Sequence, residues 1–310
     1  MSVPAKATGR TKKSAAWKSI KNNYMLYLFL VPALVYVAVF CYAPMYGVQI
    51  AFKNFKASKG IMGSAWVGLA HFKTFFSSPR FMLLLTNTLS VSVYSIIVGF
   101  PIPIILALLF NYVQYPWFKK FAQTVSYAPH FISTVVLVGM LSMFFSTTTG
   151  FVNTAIAALG FNKIHFFGEP QYFRHLYVWS GVWQNMGWSA VIYIATLSGV
   201  DPQQHEAARI DGCTDLMIFF RIVVPLSKPV IMVITLFTLN GVWSDFLWPY
   251  LTLTDKNLFT VMVKLYRMGT NYSIDKKMIA MTFAIIPPII LFAIFQKHIM
   301  TGFSLGGIKG

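Results

Sequence analysis

The sequence predicts an all-α polytopic membrane protein with six transmembrane helices. Three observations carry that prediction. The 310 residues are 56% hydrophobic and only 11% charged, whereas soluble domains run at about 25% charged. Apolar stretches long enough to cross a bilayer, which takes about 20 helical residues, recur along nearly the whole chain. Between two of them lies a polar island, Asp201 to Leu226, which holds four of the eight acidic residues: Asp201, Glu206, Asp211 and Asp215.

The elements follow in chain order. Residues 1–23 carry Lys6, Arg10, Lys12, Lys13, Lys18 and Lys21 and no acid, the pattern of a cytoplasmic N-terminal tail. The first span covers Tyr24 to Tyr46. Its apolar run exceeds that of a signal peptide and lacks a small-residue cleavage site, so it reads as a retained helix. Residues 47–80 form an external segment rich in aromatics, with Phe72, Phe75 and Phe76 at helical spacing to lay a stripe on lipid or a neighbouring helix. Span two runs from Phe81 to Phe110, kinked at Pro101 and Pro103, which a buried helix tolerates. A short internal turn, Asn111 to Lys120, leads to span three, Val125 to Phe145. An external loop, 146–174, precedes span four, His175 to Val200.

Beyond the island, span five covers Pro229 to Tyr250 and residues 251–277 are external. Span six covers Met278 to Phe295, broken at Pro287-Pro288. Residues 297–310 form a C-terminal cytoplasmic tail, which leaves 24–296 as the transmembrane domain. The distribution of Lys and Arg barely orients this topology: thirteen of the 25 fall on proposed inner segments and twelve on outer ones. The six bases before the first span decide for cytoplasmic termini. Cys41 and Cys213 fall on opposite sides and should not pair.

Within the island the local signals are specific. Asp201 suits an N-cap, Pro202 the first helical position and Gln204 a capping-box partner. Gly212 suits the left-handed residue that ends a helix. Thr214 caps a second helix, whose Leu216, Phe219, Phe220 and Val223 recur at helical spacing, and Pro225 ends or kinks it. Any polar loop between two spans needs caps and corners, so composition alone leaves its role open.

Glu206-Ala207-Ala208, Asp211-Gly212, Ile222 and Pro225-Leu226 resemble, position by position, the EAA loop of binding-protein-dependent ABC importer permeases. Cys213 departs from the usual alanine, a small-for-small exchange. Trp183 to Gly187 and Ile192 to Leu197 are similar to that family's fourth-span run, Asn22-Asn23-Tyr24, Leu30 to Ala33, Phe40 to Gly47 and Ala51 to Phe55 resemble the entry of its oligosaccharide and polysaccharide-derived sugar permeases, and the Gly306 to Gly310 tail resembles the terminus of its maltose-type partner permeases. The resemblance implies a cytoplasmic coupling helix, with Glu206, Ala207, Ala208, Asp211, Gly212, Ile222 and Pro225 docking on a separate ATPase subunit. It further implies a bacterial plasma-membrane importer working by alternating access. Its expected partners are a second homologous permease, two ATP-binding subunits and an external solute-binding protein. No cofactor is expected on this chain, with ATP and magnesium on the ATPase subunits.

The residues agree with a transport role. The chain has no phosphate-binding loop G-x-x-x-x-G-K-[ST], no H-E-x-x-H and no G-x-S-x-G. Polar side chains inside spans are costly unless buried or facing a cavity. Trp183, Asn185, Tyr193, Asn240 and Asp245 therefore stand out as a sugar path, since aromatic faces stack on sugar C–H surfaces while amides and carboxylates take hydroxyls. Trp and Tyr near span ends equally fit an interfacial belt, and Asn can bridge helices. Two other classes stay open: an ion-gradient-driven secondary transporter, which calls for carboxylates buried in several spans where only Asp245 is present, and a membrane-embedded glycan enzyme, for which the island acids are the only cluster.

Overall fold

The computed structural model describes residues 21–198, 212–214, 217, 221, 224–226, 228–269 and 272–306. The chain divides into two compact units, one of Met1–His71 with Ile274–Ile279 and one of Phe72–Ser273 with Ala280–Gly310.

In the first unit an apolar run, Tyr24–Phe52, is helical for 29 residues. It begins as α1 (Tyr24–Tyr36), which accommodates Pro32, and loosens into a π-helix over Val37–Tyr42. It ends as a tighter 3-10 turn, Tyr46–Phe52. A two-stranded antiparallel ribbon follows, β1 (Lys53–Asn54) against β2 (Ala65–Trp66).

The second unit holds the helical bundle. In chain order it comprises α2 (Pro79–Gly99), α3 (Pro101–Tyr112), α4 (Pro116–Tyr127), α5 (Thr134–Phe144), α6 (Phe151–Ala158), α7 (Pro170–Ser198), α8 (Lys228–Ser244), α9 (Leu247–Thr252) and α10 (Val261–Arg267). A last helix, α11 (Ile274–Gly306), starts in the first unit and continues through the second. Proline opens α2, α3 and α4, where its missing N–H is an orphan in any helix. The main core gathers Val91, Leu137, Val138, Phe173, Tyr177, Val178 and Trp248 with residues of the 253–263 stretch.

Buried polar residues of α2 explain themselves as staples. Thr88 Oγ1 accepts from the Val261 N–H at 3.0 Å, and the Asn87 amide donates to Asn257 O at 2.7 Å. Asn87 Oδ1 in turn accepts from Arg174 at 3.3 Å. The loop after α5 is held in the same way: the fully buried Asn153 donates to three carbonyls, of Phe145, Ser146 and Ile164, and accepts from the Ile164 N–H. A backbone leaving regular structure inside a protein needs such partners.

Among the described residues, four helical stretches are long and apolar enough to cross a membrane: Tyr24–Phe52, Pro79–Tyr112, Ile231–Thr252 and Ile274–Gln296. A fifth counts if Pro116–Phe131 and Thr134–Phe144, bent by 97°, form one span. At 29 residues α7 is also long enough, but Arg174, His175, Gln184 and Asn185 lower its hydropathy.

Two expectations change. The turn expected from Asn111 to Lys120 ends sooner, because Pro116 opens a helix, Pro116–Tyr127. The expected break at Pro287-Pro288 is absent, and α11 runs through both prolines. Adjacent prolines remove two donors from a single turn, and the ladder on either side keeps register.

Candidate functional site

Two helix interruptions in the second unit face one cavity of about 760 Å³, and α7 runs past both. The first interruption separates α4, with its 3-10 extension Ala128–Phe131, from α5. Ile132 and Ser133 are extended there. The Ser133 hydroxyl oxygen caps α5 by accepting from the Val136 N–H at 3.4 Å. The break frees the Ile132 carbonyl, and the Gln184 amide of α7 donates to it at 2.6 Å.

The second interruption separates α8 from α9 at Asp245-Phe246. The Asp245 carboxylate accepts from the Tyr177 hydroxyl of α7 at 2.6 Å and from the backbone N–H groups of Leu247 and Trp248. Opening a helix with a carboxylate is favourable because its first N–H groups are unpaired and the dipole there is positive. Trp248, only 4% exposed, packs edge-on against Tyr177 at 5.0 Å. Trp243 anchors α8 to the last helix by donating its indole N–H to Ala284 O at 2.9 Å.

Asn185 sits on the cavity face of α7. Its amide nitrogen donates to Gly181 O at 3.0 Å, so its oxygen faces His130 Nδ1, also at 3.0 Å. His130 Nδ1 therefore carries the proton, and Nε2 is left as an acceptor in the neutral ring. The imidazole lies flat on Trp188, with centroids 4.8 Å apart and planes 2° apart. Ser95, Thr134, Ser189 and Thr238 add hydroxyls to the wall. The cavity thus offers donors, acceptors, one carboxylate and aromatic surface, with no Lys or Arg among its lining residues.

The residues expected on a sugar path divide. Asn185 and Asp245 line the cavity. Trp183 instead lines a separate apolar cleft of about 390 Å³ with Met140, Phe144, Phe166 and Trp179. Tyr193 is 6% exposed and packs with Ala107, Phe110 and Ala190, its ring edge-on to Phe100 at 6.2 Å. Asn240 is exposed on α8 and is not among the cavity-lining residues. Tyr177, Gln184 and His130 join the site without having been expected there. Their signal is faint: each is an ordinary polar residue in an apolar run until the breaks beside it are known.

Of the coupling-loop residues, Glu206, Ala207, Ala208, Asp211 and Ile222 lie outside the described residues. Gly212 has φ of 78°, the left-handed region that suits glycine. Thr214 Oγ1 accepts from the Met217 N–H at 3.3 Å, the geometry of an N-cap. Pro225 is exposed within the short helix Val224–Leu226.

Residues 99–304 match the family described as binding-protein-dependent transport system inner membrane component. The chain is 42% identical over 223 residues to the polygalacturonan/rhamnogalacturonan transport system permease protein YteP of Bacillus subtilis (strain 168), covering 72% of this chain and 69% of that protein. It is 37% identical over 230 residues to protein LplB of the same strain, covering 74% and 72%. A crystal structure of a bacterial alginate ABC transporter in complex with alginate pentasaccharide-bound periplasmic protein contains a similar chain, with a TM-score of 0.77 and 31% identity over 91% of this chain and 95% of that one.

Proposed function

The chain belongs to the family of binding-protein-dependent transport system inner membrane components, as a permease subunit of an ABC importer and not an enzyme, and from that premise we propose that it carries an oligosaccharide across a bacterial plasma membrane. One observation supports the cargo most directly. The cavity between the two interrupted spans is lined by Asp245, Tyr177, Asn185, Gln184 and His130 beside Trp248, the mixture of hydrogen-bonding groups and aromatic surface that a polyhydroxylated ring needs. Interrupted helices beside a site near the bilayer midplane are a recurrent arrangement in transporters. The named cargoes of similar proteins, polygalacturonan/rhamnogalacturonan and alginate, are carbohydrates.

In this reading α7 is a sixth span, its polar face turned to the path, and both termini are cytoplasmic. A second permease closes the path from the other side, and a solute-binding protein delivers cargo from outside. Two ATPase subunits bind ATP and magnesium and grip the loop from Glu206 to Gly212. Closure of the ATPases pushes that loop and rocks the spans between inward-open and outward-open states, with the cavity as the alternately exposed site. Glu206 contacts the rim of the ATPase cleft, Ala207 and Ala208 permit close approach, and Gly212 sets the corner that passes the push to span five.

The test is uptake of labelled oligosaccharides into proteoliposomes holding this chain with its second permease and ATPases. Uptake should require internal ATP and the external binding protein. Uptake by this chain alone on an ion gradient would overturn the reading.

A further inference from the structure

The stretch from Lys53 to Trp66 is more highly built than a connection between spans requires. β1 and β2 pair with Lys53 opposite Trp66 and Asn54 opposite Ala65, and the tip between them is tied from within. Lys53 is 8% exposed, and its ammonium donates to Ile61 O at 2.7 Å. The buried Ser64 hydroxyl donates to Gly60 O at 2.6 Å and accepts from the Lys56 N–H at 3.1 Å. Gly60 turns the chain at φ of 63°. Burying a lysine is unfavourable unless it is hydrogen-bonded, so this one holds the tip in one shape.

That rigid frame presents a distinctive surface. Met62 is 77% exposed, and Trp66, 63% exposed, is stacked flat on Phe52 at 5.6 Å. Lys56 and Lys59 are exposed, and neither ammonium has an acidic partner among the described residues. Residues 47–80 hold five bases, Lys53, Lys56, Lys59, Lys73 and Arg80, and no acid at all. On the outer face of a membrane protein, uncompensated bases run against the usual bias of positive charge toward the cytoplasm.

We propose that this hairpin tip is a docking point for an acidic patch on the solute-binding protein. Met62 and Trp66 are its apolar anchors, and Lys56 and Lys59 are the surrounding charge. The proposal rests on the outward orientation of residues 47–80 in the functional reading above. Aromatic residues and methionine are enriched at protein interfaces, and a few such anchors carry most of the binding energy. A tip already held in shape loses little freedom on binding. Charges at the rim speed and orient the encounter, and their effect is screened by salt.

The experiment uses the intact transporter in nanodiscs of neutral lipid, titrated with its binding protein while ATPase activity is followed. Lys56→Glu with Lys59→Glu, and separately Met62→Ala, should raise the half-saturating binding-protein concentration about tenfold with basal and maximal rates kept. The charge variant should also lose salt dependence, and a charge-reversed binding protein should restore its affinity. If wild type is stimulated and both variants keep the wild-type half-saturation, the proposal is overturned. It is equally overturned if the defect appears only in parallel nanodiscs of anionic lipid, which would assign the bases to lipid headgroups. A wild-type transporter that the binding protein does not stimulate would overturn the functional reading and the hairpin proposal with it.

Discussion

The cavity and the apolar cleft share α7 and differ in almost everything else. Tyr177, Gly181, Gln184 and Asn185 face the cavity, whereas Leu176, Trp179 and Trp183 face the cleft. The cavity borders two helix breaks, each supplying loose backbone groups and a polar side chain that α7 meets: Ile132 O with Gln184, Asp245 with Tyr177. The cleft borders the unbroken α5, and two of its few polar groups are taken up by Tyr94. Trp179 donates its indole N–H to the Tyr94 hydroxyl oxygen at 3.0 Å, and that hydroxyl donates to His175 Nδ1 at 2.7 Å. A sugar would find far fewer hydroxyl partners there than in the cavity. Interruption of a helix, more than the presence of tryptophan, is what brings polar groups to the wall of a cavity here.

Displacing the helix that both regions share should have the largest effect. Gly187 lies where α7 crosses α4, and a Cβ there would collide with the Ser126 backbone carbonyl. Gly187→Val should cost about 1–3 kcal/mol or more from overpacking and remove most folded protein, as read by detergent-solubilised yield and size-exclusion profile. Tyr193, on the same helix, separates packing from contact. Tyr193→Ala should destabilise the bundle by about 3–5 kcal/mol, as for other buried aromatics, seen in thermal unfolding of the solubilised complex, while Tyr193→Phe should retain uptake.

A further variant acts on the cavity alone. Tyr177→Leu leaves the half-buried Asp245 carboxylate without its side-chain donor, a loss of roughly 1–3 kcal/mol. ATP-driven uptake should fall about tenfold or more at this energy, with membrane insertion intact. Unchanged uptake would argue that the second break is structural only. Asn185→Ala should weaken apparent affinity for cargo several-fold, of order the ~1 kcal/mol typical of one lost hydrogen bond, read in uptake at graded cargo concentration.

The smallest effects belong to Trp183→Leu and Asn240→Ala, which should change uptake by less than about twofold, as surface substitutions do. A large loss of uptake in Trp183→Leu would reverse the assignment of the two regions.

Signals confined to a few neighbouring residues are readable before any coordinates. Gly212 is expected to be left-handed and Thr214 to cap, and both are seen in those roles, since a cap or a turn depends on atoms within about one helical turn. The polar content of α7 is readable too, but not its division between faces. Asn185 and Trp183 are two residues apart, and only the placement of α5 and α8 beside α7 decides that one meets a polar cavity and the other a greasy cleft. His130 carries no mark in the sequence because nothing nearby in the chain reveals that Asn185, 55 residues away, orients its ring.

The amino-acid order by itself marks this chain as a multi-pass membrane protein and shows roughly where several of its long apolar helices lie. Those properties follow from transfer of apolar side chains out of water and from hydrogen bonds within a turn, both of which act locally. The fold was needed to place the bend between α4 and α5, the break between α8 and α9 at Asp245, and the uninterrupted course of α11 through its double proline. Each of those outcomes depends on a backbone group finding, or not needing, a partner from a distant helix, and in an apolar interior such a partner comes only from the fold.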